Sequence, residues 1–170
     1  MDILSLNLTT PDFGLMVPQL IVFGLLLYAA DRWSRRTRDL GQAGWADGIL
    51  VGLAQALALA PGVSRSGITI TTGLALGMKR EAAARLSFLL SIPIVGGTAA
   101  YSFLRLLKDH VAMPPGSGGM FLVGMLTAAV SGYLCIKYFL GYLQRRSLSP
   151  FVIYRLGFGL LLLGYYGLLR

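Results

Sequence analysis

The 170-residue chain is 55% apolar and only 13% charged, about half the charged share of an average soluble domain. Its mean hydropathy is positive, so composition excludes an ordinary soluble globule and places the chain in a membrane. The net charge of +8 does not signal nucleic acid, because the basic residues fall in short clusters between apolar runs, the pattern of membrane topology signals.

Residues 1–12 read as a polar lead-in, without the basic start and small-residue cleavage site of a removable signal peptide. Phe13–Ala30 is the first apolar run, near the ~20 residues that cross a bilayer, with Pro18 close to its start. Arg32, Arg35, Arg36 and Arg38 follow, a cytoplasmic marker. Trp45–Ala60 comes next and is too short to cross alone. Gly44, Gly48, Gly52, Ala56 and Ala60 recur every four residues, which makes one helix face small enough for another helix to approach closely.

At Pro61-Gly-Val-Ser-Arg-Ser-Gly-Ile-Thr69 the apolar character breaks. Pro61 biases Ala60 away from helical geometry, and Gly62 and Gly67 permit a tight turn. Gly67–Met78 then reads as a second short helix, capped by Ser64 or Ser66, with Thr69, Gly73 and Gly77 as its own small stripe. Arg65 sits at the tip. The two arms are expected to pack through their stripes as a re-entrant hairpin over about 45–78; a single broken helix crossing the membrane is the competing reading.

Charge separates the two. Later runs at Ser87–Leu104, Phe121–Leu140 and Phe151–Leu169 are plausible spans. With a hairpin, the clusters at 31–44, 79–85 and 137–149 share one side and hold ten lysines and arginines, against three on the other. A spanning broken helix gives seven against six. The positive-inside rule favours the hairpin, hence an all-α integral membrane fold of four spanning helices plus one re-entrant helix-loop-helix. It forms a single domain over residues 1–170, with the N-terminus outside.

Pro93 is expected to kink its span, and Gly124, Ala128 and Gly132 to pack against another helix. Residues 114–119 read as a flexible outside loop, and Arg155 as a side chain snorkelling to the cytoplasmic interface. Cys135 is the lone cysteine, which rules out a disulfide framework or a cysteine-based metal site within the chain.

An arginine among hydroxyls at a helix start suits phosphate. Free N–H groups and the helix dipole attract an anion, and the guanidinium fork matches phosphate oxygens. Ser64, Ser66 and Thr69 add donors. These residues alone fit binding, transport or hydrolysis of the anion. Hydrolysis also needs an acid or base, or metal-held water, and candidates are few. Glu81, the only glutamate, reads as a capping or paired surface carboxylate. His110, the only histidine, reads as a solvated loop residue beside Asp109, and Asp47 as a dipole-matched residue at a helix start.

Gln55-Ala-Leu-Ala-Leu-Ala-Pro-Gly-Val-Ser-Arg-Ser-Gly-Ile-Thr69 and Arg85-Leu-Ser-Phe-Leu-Leu-Ser-Ile-Pro93, with Tyr154-Arg155 in the last helix, strongly resemble the undecaprenyl-pyrophosphate phosphatase, or bacitracin-resistance, family. The resemblance implies half of an inverted-repeat fold in the bacterial inner membrane, and removal of the terminal phosphate of undecaprenyl diphosphate in cell-wall carrier recycling. It implies Arg65 and Ser64 as catalytic residues, with Ser64, Arg65, Ser66 and Thr69 binding phosphate and Pro61, Gly62 and Gly67 shaping the loop. A divalent cation, Mg²⁺ or Ca²⁺, is implied too, with no ligands identified in this chain. The resemblance covers the family's C-terminal half. The Glu-x-x-x-Glu and Ser-Ser-x-x-His stretches of its other half do not occur here, so the chain alone is expected to hydrolyse little or nothing. A truncated gene, a separate N-terminal-half chain or an inverted homo-oligomer would each account for this. The alternative function is a non-enzymatic lipid-phosphate binder or translocator, and a structural remnant stands third. Membrane lipids are partners in every case.

Overall fold

A computed structural model describes residues 11–108 and 117–168, and every regular element among them is helical. Six α-helices follow in order: α1 (Pro11–Trp33), α2 (Trp45–Ala56), α3 (Arg65–Ala75), α4 (Arg80–Lys108), α5 (Ser117–Arg145) and α6 (Ser149–Leu168). Short 3-10 turns at Leu40–Gln42 and Leu57–Leu59 join the connections around α2. Asp109, His110 and residues 114–116 lie outside the described residues. Ser117–Gly119, expected in the same loop, instead open α5. α4 begins at Arg80, ahead of the expected Ser87, and is continuous through Pro93.

The core gathers at one end of the molecule, where α1 finishes, α4 begins and α5 turns into α6. Leu27, Ile70, Leu74, Met78, Leu143, Leu148 and Val152 meet there around Ala82, Ala83 and Ala84. The run of alanines lets α3 lie close. A Cβ on Gly73 would come 2.9 Å from Ala83 Cβ. This corrects the expected pairing of stripes: the Thr69–Gly73 side of α3 meets α4, at Ser87 and Ala83. Gly48 and Gly52 of α2 have open space where a Cβ would stand. Gly124 and Gly132 on α5 are equally open, so the packing expected of that stripe is not made with the described residues.

Charged residues lock the same end. Asp31 binds the Arg80 guanidinium through both oxygens and accepts the Leu148 N–H at 3.2 Å. One buried carboxylate thus ties α1, α4 and the α5–α6 turn. Arg38 pairs with Asp47 at 2.7 and 3.0 Å and donates to the Gln42 and Leu76 carbonyls. Glu81 pairs with Arg85 one turn on, as expected of a surface carboxylate. The segment before α2 and the segment after α3 are joined by backbone. Thr37 and Arg38 N–H groups donate to Gly77, and Lys79 N–H donates to the Arg38 carbonyl at 2.8 Å.

α4 and α5 are long and apolar enough to cross a membrane. α4 is exposed from Ile92 onward, and of the described α5 side chains only Leu143 is buried. Apolar surface of that extent on unpacked helices marks contact with lipid or with further protein. The chain is a membrane protein.

Candidate functional site

The tip loop lies between α2 and α3. Pro61 does end the first arm, with Ala60 extended at ψ 136°. Gly62 takes φ +90°, and a Cβ there would stand 2.5 Å from the Met16 carbonyl oxygen of α1. Only glycine meets both demands. Ser64 caps α3, its Oγ accepting the Gly67 N–H at 3.3 Å. Its backbone sits at φ +63°, ψ 114°, a conformation costing a non-glycine residue about 1–3 kcal/mol. α3 therefore starts at Arg65, two residues ahead of the expected Gly67.

The loop is held from behind. Arg155 Nη2 donates to the Gly62 and Val63 carbonyls at 2.8 and 3.2 Å, and Arg155 is only 8% exposed. This corrects the snorkelling expected of it. Instead of reaching out to an interface, the guanidinium turns inward and binds two successive carbonyls of the loop. Gly67 makes room for it, since a Cβ at that position would lie 2.6 Å from Arg155 Nη1. Turning those carbonyls toward Arg155 removes two acceptors from competition for anything bound at the tip.

In front of the loop is a cavity of about 590 Å³, lined by Ala58–Gly62, Ser64, Arg65, Ser66, Ser87, Phe88 and Ser91. Pro61, Ser64, Arg65 and Ser66 are exposed to it. Among the described residues, no carboxylate is on its wall. Among the described residues the Arg65 guanidinium has no ion pair, while Arg38, Lys79, Arg80 and Arg85 each meet an acid. Thr69 is not part of the lining. It is 1% exposed, and its hydroxyl lies 3.0 Å from the Arg65 carbonyl and 2.7 Å from Ser87 Oγ. With the Thr69 proton turned to the carbonyl, Ser87 is the donor between the two hydroxyls.

Ser87 and Ser91, with Phe88 between them, are the cavity residues that lie outside the Gln55–Thr69 stretch. Their four-residue spacing in an apolar helix, two hydroxyls on one face, is the signal that marks them. Asp47, at the far end of α2, is not brought to the cavity. It accepts from Arg38 and from the Gly44 N–H at 2.8 Å, and these contacts, the Arg38 bond foremost, hold its carboxyl below the usual carboxylate range.

An all-helical membrane protein whose arginine–serine turn opens on an acid-free cavity is a candidate anion-binding membrane protein. The chain matches the family described as bacitracin resistance protein BacA over residues 7–161, and it belongs to that family. It is 49% identical over 144 residues to an undecaprenyl-diphosphatase of Thermomicrobium roseum, covering 85% of this chain and 51% of that protein. Against the undecaprenyl-diphosphatase of Thioalkalivibrio sulfidiphilus it is 47% identical over 162 residues, covering 95% and 59%. For that of Alcanivorax borkumensis the figures are 48% over 143 residues, 84% and 53%. The chain thus spans between half and three-fifths of the length of these relatives.

Proposed function

We propose that the chain carries the phosphate-binding part of an undecaprenyl-diphosphatase site, as a multi-pass protein of the bacterial inner membrane. The observation that supports this most is the meeting of unpaired Arg65 with Ser64, Ser66, Ser87 and Ser91 on one acid-free wall. Arg65 would hold the terminal phosphate through its fork, and the Ser64 and Ser66 hydroxyls would donate to the remaining oxygens. Thr69 would act indirectly, fixing Ser87 against the first turn of α3. In hydrolysis, a water oxygen bonds to the terminal phosphorus, the bridging P–O bond breaks, and undecaprenyl phosphate and inorganic phosphate leave. Arg65 and Ser64 are placed to stabilise the charge that develops on the phosphoryl oxygens.

A divalent cation does not fit the residues present. The cavity wall offers hydroxyls, amides and a guanidinium, and no three His, Cys, Asp or Glu side chains cluster among the described residues. Protein sites for hard cations are built around carboxylates, and the described residues bring none to this wall. The water-activating base, with any cation ligands, is read as coming from a further protein segment such as a separate N-terminal-half chain. The topology read with this function is four spans and a re-entrant hairpin of α2 and α3. It is supported by the backbone bonds that set Arg38 beside Lys79.

The test is affinity for undecaprenyl diphosphate in phosphatidylcholine nanodiscs. Arg65→Ala is expected to lose roughly 2–5 kcal/mol, the range for truncating one partner of a hydrogen-bonded charge pair, and Arg65→Lys to recover only part. Unchanged affinity in folded Arg65→Ala protein would overturn the phosphate-site reading. A non-enzymatic binder or translocator would use the same cavity; release of phosphate once the missing carboxylates are supplied separates the enzyme from it.

A further inference from the structure

Beside the tip cavity lies a second one, of about 580 Å³, between α3, α4 and α5. Its wall is almost wholly hydrocarbon and aromatic, from Ile70, Leu134, Ile136 and Phe139 among others. Ser66 and Phe88 line both cavities, so the two are neighbours across a single serine and a single ring. The aromatic wall is braced: Phe88 and Phe139 meet edge to face at 6.0 Å, and Phe139 meets Phe151 in the same way at 5.3 Å.

A cationic, hydroxyl-rich cavity running into an apolar groove at one shared edge matches an amphiphile with a compact anionic head. Resting on the phosphate-site reading above, we propose that the groove takes the first isoprene units of the polyprenyl chain whose diphosphate sits at Arg65. Ser66, which lines both cavities, marks the boundary. Phe88 and Phe139 offer flat faces and edges to the methyl-branched, unsaturated chain, contacts that a bulk acyl chain does not need. Anchoring of the head by Arg65 distinguishes this occupant from passing bilayer lipid, which would fill the groove whether or not Arg65 is present.

A polyprenyl diphosphate carrying a diazirine in its head-proximal isoprene units tests this in phosphatidylcholine nanodiscs, with crosslinks mapped by mass spectrometry. Crosslinks are expected at Phe88 and at 134–139 of α5, competed by unlabelled undecaprenyl diphosphate and lost in Arg65→Ala. Leu134→Trp, at an exposed position, fills the groove and should lower the yield about tenfold with the helical circular dichroism unchanged, a loss of ~1.4 kcal/mol of binding. Arg65-dependent crosslinks that map elsewhere would overturn the groove and leave the phosphate site standing. Crosslinks at 134–139 that persist in Arg65→Ala would reduce the groove to ordinary lipid contact. If no crosslink anywhere depends on Arg65, the phosphate-site reading fails and the groove falls with it.

Discussion

The loop's shape depends on a side chain that never reaches the cavity. Arg155 holds the Gly62 and Val63 carbonyls from α6, and Gly67 leaves the space it occupies. Gly67→Ala is therefore expected to push the guanidinium off the loop. Its effect should resemble that of Arg155→Ala: lower affinity for undecaprenyl diphosphate with Arg65 intact. Arg155→Lys should restore part of the affinity, since both carbonyls are held by one Arg155 nitrogen and an ammonium keeps a donor and the charge but not the planar guanidinium. A pure folding defect would show instead as equal loss of thermal stability in both Arg155 variants, with no rescue by lysine. Thr69→Val keeps the shape but drops the hydroxyl beside Ser87. About 1–3 kcal/mol of stability should go with it, the cost of an unsatisfied buried partner, measured by thermal unfolding in detergent. At this scale the motif residues were legible because an arginine among serines stands out in apolar sequence. The part played by Arg155 was not, because nearness to a helix end reads as snorkelling unless the fold places a loop beside it.

Helices α2 and α3 begin and end together. The backbone bond from Lys79 to Arg38 requires both residues on one side of any membrane the hairpin enters. Single cysteines at Arg38 and Lys79, in a background lacking Cys135, are expected to label only from the cytoplasm, and labelling from opposite faces would overturn the re-entrant topology. The entry is further held by Asp47, whose carboxyl the Arg38 fork and the Gly44 N–H keep below its usual range. A lowered folded pKa gives stability that is present above the unfolded value, about 3.9, and is lost as pH falls through the folded one. Hydrogen-exchange protection of residues 38–47, corrected for the intrinsic rate, should fall only below about pH 4, and Asp47→Asn should abolish that step. Spans and breaks were legible at this scale from apolar runs, Pro61 and the basic clusters. The partner of each small stripe was not, because a stripe states that something comes close without stating what.

Across the whole molecule, one end is packed and pinned and the other is bare. Asp31 gathers three elements at the packed end, with Arg80 and Leu148 on its oxygens. Asp31→Ala strands the Arg80 charge and is expected to cost about 3–5 kcal/mol, seen as loss of thermal stability in detergent. Positioned charge is at the cavity, but among the described residues no carboxylate or imidazole is on its wall. Purified chain with undecaprenyl diphosphate and Mg²⁺ or Ca²⁺ should therefore release phosphate near background, since phosphoryl hydrolysis needs both positioned charge and proton transfer. Robust turnover abolished by Arg65→Ala would show the site to be complete in this chain. The helical class was legible from composition. The bare halves of α4 and α5 were not, since an apolar run looks the same facing lipid or protein.

The brace on the loop also has a history in time. Arg155 follows Gly62 by 93 residues, which a ribosome adding about 5–20 residues per second makes in roughly 5–20 s. Throughout that interval the arginine–serine turn is already synthesised but has no guanidinium behind it. The brace is therefore completed only when α6 is in place, and a nascent chain stalled before Arg155 is expected to carry the turn without the contacts that fix its shape.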